Sequence, residues 1–236
     1  MTTITAGYPQ VYQPGFGEKV LEGAQAIKKD GNAFYSALKF SNYAFMGAEY
    51  ALGNKQPFTY TLQKIGGGLS IIDAMDLFSS LHYWINGDFK NDTFFGVGAN
   101  ASLTVAAVGG FVLWLGELGF LALGEIAALI GNTPVIGGAF QALAEVGLGN
   151  MVGGLAAVGF GFLAADAVKN IIDADNGAKR TKAIFDLISS VAYVALYTLL
   201  LIPGICVPAI AALGVVASGF GLTSFLYKHF NQKEFV

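Results

Sequence analysis

Charged residues are scarce in this sequence, since Asp, Glu, Lys and Arg together make up only 12% of its 236 residues. An average soluble domain contains roughly 25% of them. Apolar residues reach 54%, and the mean hydropathy is +0.57. The composition therefore argues against a soluble globule and predicts an integral membrane protein with the lipid bilayer as its main partner.

Cysteine and histidine are also nearly missing. Cys206 is the only cysteine, which excludes an intramolecular disulfide and a cysteine-ligated metal site. The two histidines, His82 and His229, have no evident nucleophile and carboxylate arranged around them. The net charge of −3 gives no electrostatic reason to expect nucleic acid as a partner. We expect no cofactor, no metal site and no nucleic acid.

The motifs of familiar enzymes are absent as well. The sequence contains no phosphate-binding Gly-x-x-x-x-Gly-Lys-Ser/Thr loop, no His-Glu-x-x-His helix and no Gly-x-Ser-x-Gly turn. Asp73 and Asp76 lie one helical turn apart and could perform acid–base chemistry, but a solvated helix face explains the pair more simply. We therefore expect a protein that is not an enzyme and has no catalytic residues.

Residues 1–93 form the first region, because they contain seven of the thirteen Lys and Arg residues. The spacing of apolar residues predicts amphipathic helices over about 18–29, 32–52 and 69–85. Such helices either lie on the membrane surface or pack against the membrane domain. An unidentified protein partner is predicted to bind in this region.

Two long apolar stretches follow, at 94–168 and 187–227. A membrane-spanning helix needs about 20 residues, so the 187–227 stretch, broken by Pro203-Gly204 and Pro208, predicts a hairpin of two spans at about 184–202 and 208–227. The 94–168 stretch accommodates two spans that turn near 131–134, or three spans. These features predict an all-α, multi-pass membrane bundle.

The basic residues decide between the two span counts. They cluster in the N-terminal region, in a charged connector at 169–186 and in a polar tail at 228–236. Basic segments stay on the cytoplasmic side of a membrane, so an even number of crossings must separate them. We therefore expect four spans in two hairpins, in a membrane that the sequence does not identify.

Small residues recur at intervals of four along the second apolar helix. Such a stripe lets another helix approach closely, so that van der Waals packing is extensive. The partner helix belongs either to the same chain or to a second copy in a homo-oligomer. The stripe consists of Gly149, Gly153, Ala157, Gly161 and Ala165.

Three acidic residues in the first membrane region, Glu117, Glu125 and Glu145, are candidates for an ion or proton pathway. A carboxylate at membrane depth is costly unless it faces protein or water. With a turn near residues 131–138, Glu125 and Glu145 approach the far interface and only Glu117 stays deep. A small channel or transporter that uses these acids is the alternative to a structural function.

The bilobed stretch 187–227 with its Pro203-Gly204 turn, next to a polar N-terminus without a cleavable signal, resembles the inclusion-membrane proteins that chlamydiae secrete. The resemblance covers residues 187–236 and implies a membrane-embedded scaffold whose cytosolic ends recruit partners. The amphipathic N-terminal helices are similar in type to those of membrane-shaping peroxin-11 proteins. We therefore expect a non-enzymatic membrane scaffold or membrane-organising protein.

Overall fold

A computed structural model describes residues 15–53, 72–117, 147–202, 204 and 206–235 of the chain. These residues form seven α-helices and two short 3-10 helices, and no strand occurs among them. The all-α prediction is therefore confirmed.

Three helices come from the N-terminal region: α1 (Phe16–Lys29), α2 (Gly31–Leu52) and α3 (Ile72–Asn86). The Asp30 carboxylate caps α2, accepting a 2.9 Å hydrogen bond from the backbone N–H of Ala33. At the other end, Gly53 adopts the left-handed backbone conformation (φ 62°) that commonly terminates a helix. The predicted helices are confirmed, with ends that differ by a few residues.

The four remaining helices are α4 (Phe94–Glu117), α5 (Leu148–Asp173), α6 (Gly177–Leu200) and α7 (Val207–Phe230). Each contains a stretch long and apolar enough to cross a membrane. Four spans were predicted, and these four helices agree with that number. The predicted connector 169–186 is helical except for residues 174–176, because α5 and α6 extend into it from both sides.

The helices pack in the spatial order α3, α4, α5, α6, α7, α2, and α2 also touches α3. Between 22% and 33% of the residues in each apolar stretch are buried, so the described bundle leaves most residues of each candidate span at least partly exposed. Outward apolar surface is expected of helices surrounded by lipid. The buried core lies between α6 and α7, around the fully buried Leu196 and Ala217.

One end of the bundle collects the connector, the C-terminal tail and α1. The Asn176 side chain donates a 2.9 Å hydrogen bond to the carbonyl oxygen of Glu234 in the tail. Gly23 of α1 faces Leu226 and Phe230 at the end of α7. We call the end of the bundle that contains the connector, the C-terminal tail and α1 the basic end. If an even number of membrane crossings separates these three basic segments, all three must lie at the same end of the bundle.

Helix α2 runs antiparallel to α7. Phe40 faces Gly219, whereas Gly47 faces Ala211 near the start of α7. Leu52 therefore lies toward the end opposite the basic end. Of the two predicted placements for this helix, the structure shows the one against the membrane domain.

Candidate functional site

The predicted small-residue stripe on α5 is divided between two environments. Gly153 is buried, and a Cβ atom there would lie 3.2 Å from Leu201 Cδ2 and 3.7 Å from the Tyr197 carbonyl oxygen. This glycine therefore lets α5 approach α6. Gly149 and Gly161 are exposed instead, and no described atom lies within 4 Å of a Cβ placed at either one. Ala157 and Ala165 are partly buried.

Helices α4 and α5 approach each other closely at Gly159, which the four-residue spacing does not include. A Cβ atom at Gly159 would lie 2.7 Å from Leu103 Cγ and 3.3 Å from the Ala99 carbonyl oxygen. Ala99 is itself completely buried. The sequence signal for this contact is weak, because Gly159 belongs to a helix in which nearly every face carries small residues.

The contact between α2 and α7 depends on another glycine. A Cβ atom at Gly214 would lie 2.1 Å from the ring of Tyr43, so no other residue fits there without a rearrangement. Gly214 is buried, and the Ser218 hydroxyl next to it donates to its carbonyl oxygen. Because Gly214 has no side chain, the ring of Tyr43 packs directly against α7, and α2 thereby packs on the bundle.

Helix α2 carries Lys39 into the interior. Its exposed fraction is 8%, and among the residues whose side chains the structure describes it is the only charged one that is buried. The Nζ atom lies 4.2 Å from the ring centroid of Tyr35 and 5.6 Å from that of Tyr193. Both are within the range of a cation–π interaction. Sequence reasoning missed this site, because Lys39 appeared to belong to a surface helix.

Lys39 lines a cavity of about 860 Å³ between α2, α3, α4, α5 and α6. The polar contributions come mainly from α2 and α3, and the apolar ones from α4 and α5. The lining side chains of α2 to α6 include Tyr35, Ser36, Lys39, Phe78, Tyr83, Asn100, Leu103, Ala106, Val152, Ala156, Phe160, Leu163, Tyr193 and Tyr197.

Three aromatic rings form one wall of this cavity. Phe160 of α5 stacks on Tyr193 of α6 with a centroid distance of 4.3 Å and on Tyr197 with a distance of 5.6 Å. We call Phe160, Tyr193 and Tyr197 the aromatic wall. Because Tyr193 also faces Lys39, the wall and the ammonium group belong to the same site.

A second, smaller cavity of about 220 Å³ lies between α5 and α6 and is lined by Asp166 and Asp186. Asp166 accepts hydrogen bonds from Thr93 (2.7 Å) and Asn170 (3.0 Å). Asp186 accepts one from Ser224 and pairs with Lys182. These partners give both acids a structural role, joining α5 to the start of α4 and α6 to α7.

Tyr83 and Asp92 interact beside the basic end. The Tyr83 phenol donates a 2.7 Å hydrogen bond to Asp92 Oδ2. Burial and this carboxylate, in that order, raise the pKa of Tyr83 to about 12, since both disfavour a phenolate. The contact fixes the end of α3 next to the start of α4.

The predicted acidic pathway falls mostly outside the described residues. Glu125 and Glu145 lie outside them, and of Glu117 only the backbone is described, as the last residue of α4. At 1.5 Å per residue, Glu117 lies about 34 Å of helix beyond Phe94, roughly the thickness of a hydrocarbon core. Within the described ranges, no three His, Cys, Asp or Glu residues come together as metal ligands.

No family model matches the chain, and neither a curated protein nor a solved structure is significantly similar to it. The described features that bear on function are the three helix contacts at Gly153, Gly159 and Gly214, the outward surface of α5 and the cavity around Lys39.

Proposed function

We propose that this protein is a non-enzymatic membrane scaffold that self-associates through the outward surface of α5. The observation that carries the proposal is that no described atom lies within 4 Å of a Cβ placed at Gly154 or at Gly161, which lie seven residues apart. Val158 lies between them and is 52% exposed. Residues at spacings of four and three share one face of a helix. We call Gly154, Val158 and Gly161 the open face of α5.

Small residues support self-association for a physical reason. Lipid tails are as apolar as the helix surface, so helices associate in a bilayer mainly where backbones can approach and pack closely. The chain already uses Gly153 and Gly159 in this way inside the bundle. Glycine also costs about 1 kcal/mol relative to alanine in a helix interior. A second copy packed on the open face would offset that cost.

The basic end provides the scaffold with a surface for partners or for lipid head groups. On α1, Phe16 is 86% exposed, and Val20 and Leu21 are also exposed beside Lys19. An amphipathic helix of this kind binds a membrane surface or a protein groove through its apolar side. The resemblance to chlamydial inclusion-membrane proteins supports a recruiting role for such an end.

The test is the oligomeric state of the full chain in nanodiscs, measured by single-molecule photobleaching. We expect the wild-type chain to be oligomeric and the double variant Gly154→Leu/Gly161→Leu to be monomeric, because leucine side chains keep the backbones apart. Gly110→Leu is the matched control, since Gly110 on α4 also has no described atom within 4 Å of a Cβ. A monomeric wild type, or a double variant that still assembles, would contradict the proposal.

A second candidate function is passage of a solute or an ion, and the 860 Å³ cavity is the observation that favours it. Flux through proteoliposomes, compared between the wild-type chain and Glu117→Gln, tests this alternative. The position of Glu117 at the end of α4 makes the scaffold the better supported of the two.

A further inference from the structure

Helix α1 has an apolar face that continues beyond its contact with the bundle. Phe16, Val20 and Gly23 are spaced by four and three residues, so they share one side of the helix. Gly23 packs with this side against Leu226 and Phe230 of α7. Phe16 is 86% exposed and Val20 is 54% exposed. The described part of the chain therefore covers one half of this face and leaves the other half open.

The contact with α7 places α1 at the level where a candidate membrane span ends. That span comprises Val207–Phe230, and Gly23 faces Phe230 itself. An apolar side that turns toward the last turn of a membrane helix also turns toward the lipid around that helix. A helix with one apolar and one charged side at this level buries its apolar side at the boundary between head groups and acyl chains.

Lysines flank the apolar face of α1. Lys19 lies near one edge of the face and Lys28 near the other, and Lys29 follows at the end of the helix. All three are exposed, and within the described ranges none of them forms an ion pair. A lysine side chain lays its apolar stem along such a face and extends its ammonium group to the head groups.

The two acids of α1 are held by other groups of the protein. The Glu18 carboxylate accepts a 2.8 Å hydrogen bond from the backbone N–H of Gly15. Glu22 lies 3.6 Å from the ring of His229 on α7. With three lysines and two glutamates, α1 has a net charge of +1. Its positive charges are therefore the ones that face outward to a lipid surface.

The leaflet at the basic end is the one expected to contain anionic lipid. Basic segments of a membrane protein stay on the cytoplasmic side. The cytoplasmic leaflet carries the acidic lipids, which attract lysines that lie close to the surface. Lys228, exposed in the last turn of α7, adds a further positive charge at the level of α1.

We propose that α1 anchors the basic end to the anionic leaflet of the membrane that holds the bundle. Phe16 and Val20 enter the boundary between head groups and acyl chains. Lys19, Lys28 and Lys29 contact the acidic head groups. The proposal rests on the role given above to the basic end and names anionic lipid as what that surface binds. It does not require self-association through α5.

The test places an environment-sensitive NBD fluorophore on Val20→Cys in the full chain with Cys206→Ser. The nanodiscs contain phosphatidylcholine alone or phosphatidylcholine with phosphatidylserine, and spin-labelled lipids serve as quenchers. We expect blue-shifted emission that the spin-labelled lipids quench, and both effects should be larger with phosphatidylserine. Gln25→Cys is the matched control, because Gln25 is exposed and lies about 140° from Val20 around the helix. The label at position 25 should remain in water in both lipids.

Charge variants test the contribution of the lysines. The triple variant Lys19→Gln/Lys28→Gln/Lys29→Gln should lose the difference between the two lipids. The corresponding triple arginine variant keeps the charge and should behave like the wild type. Raising the ionic strength should diminish the effect of phosphatidylserine on the wild type, because salt screens charges that are exposed to solvent.

The proposal is overturned if the labels at positions 20 and 25 give the same emission with phosphatidylserine, or if the two lipids give equal quenching at position 20. Blue-shifted emission that the spin-labelled lipids do not quench would assign the face to protein, and would overturn the proposal too. Repeating the measurement in Gly154→Leu/Gly161→Leu separates it from self-association, since that variant should change assembly and leave α1 on the lipid.

Discussion

At the scale of single residues, the hydrogen bonds of polar side chains show which elements of the fold they hold together. Asp92 accepts the Tyr83 phenol, and Asp166 accepts Thr93 and Asn170. The contacts of Tyr83 and Thr93 join neighbouring elements near the basic end, whereas the contact of Asn170 lies within α5. The Nζ atom of Lys39 lies beside the rings of Tyr35 and Tyr193, at the cavity between α2 and α6.

The Tyr83 phenol should lose its proton at a higher pH than an ordinary tyrosine. Its pKa is raised from 10.0 to about 12, so the folded state favours the protonated phenol. The stability gained from this contact is therefore fully present below pH 10 and is lost as the pH rises through about 12. Tyrosinate absorbance should show one group that titrates near pH 12 in the wild type and is missing in Tyr83→Phe.

Asp92→Asn serves as the control for that titration, because it removes the negative charge and keeps a similar shape. The pKa of Tyr83 should then move toward its ordinary value. A wild-type minus Tyr83→Phe difference spectrum that titrates near pH 10 would show that the hydrogen bond does not form.

At the scale of elements, glycines set how closely the helices pack, and they do so one contact at a time. On α5, Gly153 leaves room for α6 and Gly159 leaves room for α4. On α7, Gly214 leaves room for the ring of Tyr43 from α2. Gly161 shares a helix with the first two but has open space beside it. Identical residues on one helix therefore have different energetic roles.

This difference predicts a contrast between two alanine substitutions. Gly159→Ala should destabilise the bundle by about 1–3 kcal/mol, because the new methyl group overlaps Leu103 and overpacks the α4–α5 contact. Gly161→Ala should leave the stability unchanged or raise it slightly, since alanine favours the helix. Unfolding in bicelles by added SDS measures both. Equal effects of the two substitutions would mean that α4 and α5 do not meet at Gly159.

At the scale of the whole molecule, the arrangement of helix ends predicts which segments share a side of the membrane. Cys206 is the only cysteine, is exposed, and lies at the turn before α7. In sealed vesicles, it should react with an impermeant maleimide from the side opposite to Lys233→Cys in a Cys206→Ser background. Gly177→Cys should behave like Lys233→Cys, because the connector and the tail meet at the basic end.

Leu52→Cys extends this labelling experiment to α2. If α2 crosses the membrane antiparallel to α7, the cysteine at position 52 reacts from the same side as Cys206. Reaction from the side of Lys233→Cys would place α2 on the membrane surface and would remove Lys39 from mid-depth. The experiment therefore also tests where Lys39 lies relative to the membrane.

The sequence by itself determined the helices of this protein and which of them are apolar enough to cross a membrane. The runs 94–168 and 187–227, the Pro203-Gly204 break and the charged connector are local features, and local hydropathy and backbone preferences suffice to interpret them. The tertiary structure decided which residues meet. Gly159 and Gly161 have similar sequence surroundings, yet within the described part of the chain only Gly159 packs against another helix. Lys39 is buried on α2, the helix that packs against α7 where Gly214 leaves room for the ring of Tyr43. That burial depends on residues far apart in the chain, whose contact no local pattern encodes.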